Sequence, residues 1–148
     1  MRYINWRVLT IASLIVAGSA VTGAQVHKYY NPGTVWTVTA IQVKAGMDQA
    51  YLEYLDGQFK KSTDAQVKAG FMKSYKIVRA MDDDYSGWNL LILREYASLA
   101  ALEANEEKSD ALLAQTLGND QAQMQGYTDR SKFREVVWQR TAREIMLK

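Results

Sequence analysis

Two stretches of the chain have an alternation that predicts β-strands covered on both faces. In residues 35–43, one side carries Val35, Thr37, Thr39, Ile41 and Val43, and the other carries Trp36, Val38, Ala40 and Gln42. In residues 88–96, one side carries Trp88, Leu90 and Ile92, and the other carries Leu91 and Leu93. A strand with one wet face alternates apolar with polar residues, whereas these two are apolar or β-branched on both sides. Both are therefore predicted to be inner strands of a sheet.

A spacing of three and four residues predicts a helix over residues 47–68. Its predicted buried face consists of Leu52, Leu55, Phe59 and Ser62. Asp48 near the start suits the positive end of the helix dipole, and Gly70 suits the position just after a helix end.

A second helical region is predicted over residues 98–117. Ser98 is a suitable N-cap, Gly118 ends the region, and a break is predicted near Glu106. A further short helix is predicted from Asp120 towards Lys132.

Two more strands complete the predicted set. Residues 71–80 are rich in apolar residues, and the turn-forming residues 82–87 connect them to the strand 88–96, which predicts an antiparallel hairpin. Residues 133–138 are rich in β-forming types and predict a fourth strand, which the tail to Leu147 continues.

The predicted order of elements is β-α-β-β-α-β. A right-handed crossover between the first two strands leaves a gap that the third strand fills, which is the ferredoxin-like arrangement of the α+β class with an antiparallel sheet. We expect one such domain over residues 35–148, preceded by a flexible lead over residues 25–34. Helices on one face leave the other face bare although both inner strands are apolar there, so the pattern predicts a homodimer.

The first 24 residues have the features of a cleavable signal peptide. A basic start with Arg2 and Arg7 precedes the mostly apolar residues 8–21, and small residues follow up to Ala24. The apolar run is short for a membrane span, so cleavage after Ala24 is predicted, with Ala20 as the alternative position. The predicted location is therefore outside the cytoplasm, in a bacterial periplasm or the medium, with no membrane span after cleavage.

Composition excludes several classes of function. The 148-residue chain carries a formal charge of +2, but without Arg2 and Arg7 the 16 acidic residues are matched by equally many basic ones. A neutral chain lacks the charge expected for nucleic-acid binding. The absence of cysteine excludes disulfides, thiolate metal sites and cysteine nucleophiles.

Three segments resemble the dimeric α+β barrel superfamily, which includes the antibiotic-biosynthesis monooxygenases and the NIPSNAP-type and EthD-like proteins. The resemblance is carried by Val38–Met47 running into a helix with Tyr51 and Leu52, by Ser74-Tyr75-Lys76, and by Trp88–Tyr96, and it covers roughly residues 35–102. The sequence is similar in particular to uncharacterised exported proteins of this fold.

The resemblance implies a barrel of two sheets back to back, with a ligand cleft between sheet and helices in each protomer. Members that degrade haem use an Asn, His and Trp set with His as the iron ligand. The one histidine of this chain, His27, falls in the predicted lead, and the sequence therefore departs from that pattern.

Candidate ligand-binding residues lie on the predicted strands. The set consists of Trp36, Tyr75, Trp88, Arg94 and Tyr96. Aromatic walls with a few polar groups are typical of ligand pockets, and packing in a core or dimer is the alternative explanation of the same rings. Trp138 extends the aromatic set, and Lys73 and Arg79 are further cations that suit a carboxylate or phenolate.

No cofactor and no metal ion is predicted. His27 has no second histidine with which to form a metal or general-base site. The acidic run Asp82–Asp84 lacks the spacing of an EF-hand loop and is interpreted as a solvated turn.

Two functions remain open on this sequence, and whether the protein is an enzyme is undecided. The first is an exported dimer that binds a small hydrophobic or aromatic ligand, or acts as an interaction module. The alternative is a cofactor-independent, monooxygenase-type oxidoreductase that desolvates a small aromatic substrate and stabilises its anion, with Arg94, Tyr75 and Trp88 as its site.

Overall fold

The computed structural model describes residues 28–81 and 87–148. The predicted signal peptide, His27 and the acidic run Asp82–Asp84 lie outside the described residues. By their contacts, the described residues form two units, which are residues 28–31 with Ile145–Lys148, and Pro32–Glu144. In the smaller unit, the amide of Lys148 donates to the carbonyl of Tyr29 at 3.2 Å.

The elements follow the predicted order. They are β1 (Tyr30–Val43), α1 (Asp48–Tyr54), a π-helical turn (Leu55–Phe59), α2 (Lys60–Lys68), β2 (Ser74–Arg79), β3 (Leu90–Tyr96), α3 (Leu99–Ala104), α4 (Glu106–Leu117), α5 (Asp120–Ser131) and β4 (Arg134–Leu147). The described helices do not include one with the length and apolar character of a membrane span.

The sheet has the strand order β2-β3-β1-β4. Strand β3 pairs antiparallel with β1, with Val38 opposite Leu93, and antiparallel with β2, with Tyr75 opposite Arg94. The predicted hairpin, the two inner strands and the ferredoxin-like α+β fold are confirmed. The crossover from β1 to β2 leaves one strand position between them, and β3 fills it on its return.

Several strand limits differ from the prediction. Strand β1 begins at Tyr30, so the last residues of the predicted flexible lead are part of the strand. Phe71 and Met72 precede β2 because their amides donate to the carbonyl of Gln66, which completes the end of α2. Trp88 likewise precedes β3.

The predicted buried face of the first helical region is confirmed at Leu55, Phe59 and Ser62 and is wrong at Leu52. Leu52 is 47% exposed, whereas Tyr51 is 1% exposed, and the prediction for Leu52 is wrong. In an α-helix, positions four apart drift by about 40° per step, and the wider π turn takes up an extra residue and corrects this drift. Tyr51, Leu55, Phe59 and Thr63 therefore all face the sheet and are buried.

The core lies between this helical segment and one face of the sheet. It comprises Ile41, Val43, Tyr51, Leu55, Phe59, Leu90 and Ile92, with Tyr54, Tyr75 and Phe133 packed against it. We call this side of the sheet the helix face. On the opposite face Trp36, Val38, Leu91 and Leu93 are half-buried.

The later helices begin and end where capping residues predict. The Ser98 hydroxyl accepts from the Ala101 amide at 3.0 Å, and Asn105 separates α3 from α4, close to the predicted break. Gly118 ends α4 with a φ of +104°, which favours glycine. The Ser109 hydroxyl of α4 donates to the Gln66 side chain of α2 at 3.1 Å, so these helices share one layer.

Candidate functional site

A continuous row of aromatic rings lies on the helix face. In α1, Tyr51 and Tyr54 are stacked with their centroids 5.8 Å apart. Phe133, just before β4, lies 5.8 Å from Tyr51 and 6.2 Å from Tyr54. Phe59 lies 6.4 Å from Tyr54 and meets Tyr75 of β2 edge-on at 5.6 Å.

The π turn holds Phe59 in this row. Two buried hydroxyl groups bond to the carbonyl of Phe59, the last residue of the π turn. The Ser62 hydroxyl donates to this carbonyl at 2.9 Å, and the Thr63 hydroxyl donates to it at 2.8 Å. Such π segments inside helices are frequent at functional sites.

Three arginines lie over these rings. The guanidinium carbon of Arg94 is 5.3 Å from the Phe59 centroid, and that of Arg134 is 5.9 Å from the Tyr51 centroid. The guanidinium carbon of Arg130 is 5.2 Å from the Tyr54 centroid. These distances are those of cation–π contacts. We call the five rings and three arginines the aromatic–arginine layer.

The three guanidinium groups have no anionic partner within the described residues. The ion pairs of residues 28–81 and 87–148 are those of Lys60 with Asp64, Lys73 with Glu95, Arg79 with Asp48, and Lys132 with Asp129. In the same ranges, the Nε atoms of Arg130 and Arg134 are buried and donate no hydrogen bond. Buried cations are normally paired, so the layer has an unbalanced positive charge.

Burial dominates the electrostatics of the layer. It lowers the pKa of Arg94, an effect that the neighbouring tyrosines oppose and that Arg134 reinforces. Burial also raises the pKa of Tyr51 to about 12, although the charge of Arg134 acts to lower it. Arg94 stays charged and Tyr51 stays neutral at physiological pH.

Replacement of Tyr51 by phenylalanine should remove a loss of stability at alkaline pH. The unfolded chain releases the Tyr51 proton from the ordinary pKa of 10.0, whereas the folded chain holds it to about 12. Its stabilising contribution is complete below the lower value and is lost as pH rises through this window. Between about pH 9 and 11.5, urea denaturation should show the wild type losing roughly 2 kcal/mol more than Tyr51→Phe. Parallel losses in both proteins would contradict the prediction.

Two open pockets adjoin the layer. One, of about 340 Å³, is lined by Lys44, Tyr127, Ser131, Arg134, Glu135 and Val136, and we call it the arginine pocket. The other, of about 430 Å³, is lined by Asp64, Val67, Lys68, Lys73, Ser74 and Tyr75, and we call it the tyrosine pocket. Arg134 of the aromatic–arginine layer lines the arginine pocket, and Tyr75 of the layer lines the tyrosine pocket.

The predicted site residues do not all lie on the same face of the sheet. Tyr75, Arg94 and Tyr96 lie on the helix face, where Tyr75 and Arg94 are directly opposite in the β2–β3 register. Trp36 points to the opposite face, where Lys76 lies 5.5 Å from its ring. Trp88 is half-buried ahead of β3.

Other predicted side chains already have a partner in an ion pair or a hydrogen bond. Arg79 is paired with Asp48 at 2.7 Å and Lys73 with Glu95 at 3.2 Å, which leaves Arg94 as the predicted cation without an anionic partner among the described residues. The Tyr75 hydroxyl donates to Asp64 at 2.9 Å. The oxidoreductase alternative stays a prediction.

Sequence reasoning missed Tyr51, Phe133, Arg130 and Arg134. The two arginines lie at the end of α5 and the start of β4, where a basic residue is ordinarily exposed. No local pattern distinguishes them, since their ring contacts depend on how α1 packs. In the described ranges no three His, Cys, Asp or Glu side chains could together hold a metal ion.

The four-stranded antiparallel sheet and its helices define a ferredoxin-like α+β protein. Solved structures agree. HapK from Hahella chejuensis has a TM-score of 0.51 and 13% identity, with 74% of this chain and 91% of that chain covered. Protein SO0527 from Shewanella oneidensis has a TM-score of 0.50 and 14% identity, with 79% and 96% covered.

A third similar structure is a protein described as dimeric and ferredoxin-like, from an uncultured marine organism. Its TM-score is 0.50 with 14% identity, and 80% of this chain and 98% of that chain are covered. No protein-family model matches the sequence, and no curated protein matches it significantly. At these identities the likeness establishes the fold, and function rests on the site.

Proposed function

We propose that the mature protein is an exported homodimeric α+β barrel that binds a small aromatic anion in the aromatic–arginine layer. The observation that carries this proposal is Arg94. Its guanidinium lies against Phe59 beneath the helices, and no carboxylate pairs with it in the described part of the chain.

A buried cation of this kind is expensive to maintain. A cation–π contact stabilises it by about 0.5–2 kcal/mol, while desolvation of an unpaired ion costs several kcal/mol. An anion that bound here would restore the balance of charge. The ligand would be aromatic because rings adjoin this cation, with Phe59 beside Arg94 and Tyr75 in edge contact with Phe59.

The charge of the ligand can be tested with a matched pair of probes. We expect calorimetric titration of the wild type to show tighter binding of 4-nitrobenzoate than of uncharged 4-nitrobenzamide. Arg94→Met keeps most of the side-chain volume and should lower affinity for 4-nitrobenzoate by roughly ten- to hundredfold, since a hydrogen bond to a charged group contributes roughly 1.5–3 kcal/mol.

Arg79→Met is the control for this experiment, because Arg79 has its own exposed partner Asp48. It should bind both probes as the wild type does. A wild-type protein that binds neither probe, or both equally, would refute the proposed function.

The homodimer is supported by the face of the sheet away from the helices. Val38, Leu91 and Leu93 lie there on the two inner strands, and an apolar sheet face is stable only when covered. Similar solved structures are described as dimeric and ferredoxin-like. The proposed cover is a second copy of this chain.

Sedimentation velocity tests the dimer. We expect the mature wild type to sediment as a dimer and Leu93→Glu, which places a charge on this face, to sediment as a monomer. Lys108→Glu, on an exposed position of α4, should leave the dimer intact. A monomeric wild type at high concentration would exclude the barrel.

Export is supported by the order of basic, apolar and small residues in positions 1–24. After expression of the full chain in a bacterial host, N-terminal sequencing of the periplasmic fraction should begin at Gln25. Recovery of the protein with Met1 intact in the cytoplasmic fraction would contradict export.

A further inference from the structure

The arginine pocket has an excess of positive charge. Two cations, Lys44 and Arg134, line it together with one carboxylate, that of Glu135. Within residues 28–81 and 87–148, neither Glu135 nor any other carboxylate forms an ion pair with these two cations. The pocket therefore attracts an anion, because no carboxylate of the described chain neutralises its cations.

Uncharged groups hold both cations in place. The ammonium of Lys44, which directly follows β1, donates to the carbonyl of Ser131 at 2.7 Å and keeps further N–H donors for a ligand. The guanidinium carbon of Arg134, the first residue of β4, lies 5.9 Å from the ring centroid of Tyr51. The two segments are also joined by their backbones, since the Lys44 amide donates to the Phe133 carbonyl at 3.0 Å. A ligand would meet cations that are already positioned, which lowers the entropic cost of binding.

The rest of the lining suits an organic group beside the anion. The volume of about 340 Å³ is that of a site for a small molecule. Tyr127 is 58% exposed, and the guanidinium carbon of Arg130 lies 5.8 Å from its ring centroid. Val136 adds an aliphatic side chain to the same lining. An organic group packed here would remove apolar surface of the protein from water.

We propose that the arginine pocket is a separate binding site for a phosphate monoester, with the phosphate between Lys44 and Arg134 and the organic group against Tyr127. The phosphate of a monoester carries about two negative charges at neutral pH and has three strong acceptor oxygens. The guanidinium fork matches two oxygens of one phosphate, and the ammonium binds as a point charge. A carboxylate has one charge and would balance only one of the two cations. Arg94 does not line this pocket, so the site goes beyond the proposed function.

NMR titration of the full mature protein locates the site and measures the affinity. We expect phenyl phosphate to shift the backbone amide resonances of Lys44, Ser131, Arg134 and Glu135. It should bind severalfold more tightly than inorganic phosphate, because its ring packs on that of Tyr127. Benzoate, which joins the same ring to a carboxylate, should bind in this pocket at least tenfold more weakly. Added sodium chloride should weaken the binding of both phosphates, since salt screens exposed charges.

Substitutions in the lining test the role of each charge. Lys44→Met and Arg134→Met should each lower the affinity for phenyl phosphate by at least tenfold. Lys44 is exposed, so Lys44→Met should fold as the wild type does even if Arg134→Met, which also loses the contact with Tyr51, is less stable. Glu135→Gln removes the negative charge of the lining and should raise the affinity severalfold, a gain that impaired folding would not produce.

Lys132→Met is the matched control for Lys44→Met. Lys132 is exposed, is paired with Asp129 at 2.6 Å and does not line the pocket. This variant should therefore bind phenyl phosphate as the wild type does. Arg94→Met should also keep the affinity for phenyl phosphate, which separates this site from the one proposed around Arg94.

Four results would each overturn the phosphate monoester site. They are amide shifts that lie away from the pocket, equal weakening by Lys44→Met and Lys132→Met, equal affinity for phenyl phosphate and benzoate, and equal affinity for phenyl phosphate and inorganic phosphate. The proposed function fails separately. A wild type that binds phenyl phosphate in this pocket but does not bind 4-nitrobenzoate would refute the proposed function and leave the phosphate site standing.

Discussion

Replacement of Phe59 by alanine should lower the free energy of unfolding by about 3–5 kcal/mol, the range for a buried phenylalanine that leaves a cavity. Phe59 is 3% exposed and contacts the rings of Tyr54 and Tyr75 and the guanidinium of Arg94. Its loss removes packing at the centre of the row and leaves the buried Arg94 charge without its aromatic contact. Urea denaturation at fixed protein concentration measures the change.

Leu52→Ala is the matched control on the same helical segment. Leu52 is 47% exposed, so its truncation should change the free energy of unfolding by roughly 0.5 kcal/mol or less. A large loss at Leu52 together with a small loss at Phe59 would mean that the helix presents the other face to the sheet.

Replacement of Asn89 by alanine should destabilise the protein by about 2–3 kcal/mol, because it leaves the Val43 amide of an inner strand without its partner and the Val43 carbonyl with only the 3.4 Å bond from the Gln42 side chain. The Asn89 side chain accepts from the Val43 amide at 2.8 Å and donates to the Val43 carbonyl at 3.2 Å. It thereby extends the β1–β3 ladder by one residue pair beyond Leu90. Thermal and urea denaturation should both report the loss.

Asn89→Asp separates the two hydrogen bonds. It keeps the acceptor for the Val43 amide and loses the donor to the carbonyl, so we expect an intermediate stability. Wild-type stability of Asn89→Ala would show that water replaces both bonds at no cost.

Much of the fold was predictable because strand and helix periods are local properties. Residues 35–43 and 88–96 are apolar on both faces, and only inner strands of a covered sheet can bury both. Ser98 and Gly118 mark helix ends through their own side chains and backbone preferences, and both predictions are confirmed.

The buried face of the first helix was less predictable. Leu52, Leu55, Phe59 and Ser62 form a regular helical stripe in the sequence, and Tyr51 does not belong to it. The π turn changes the phase of the helix, so that Tyr51 is buried and Leu52 is exposed.

The candidate site was predicted in part. Tyr75 and Arg94 lie on predicted strands and share the helix face, because alternation within a strand assigns a face to each residue. Alternation also places Trp36 on the opposite face of the sheet. Composition alone does not show which side chains of two facing elements will contact each other.

The sequence by itself determined the order of elements, the inner strands, the hairpin and the ends of the later helices, since each depends on residues close together in the chain. Tertiary structure alone decided which cations have no anionic partner among residues 28–81 and 87–148. Arg79 and Lys73 form ion pairs with carboxylates of other segments. The guanidinium groups of Arg94, Arg130 and Arg134 lie over aromatic rings instead. The pairing of charges depends on distances between segments far apart in the chain, and only the packed chain sets those distances.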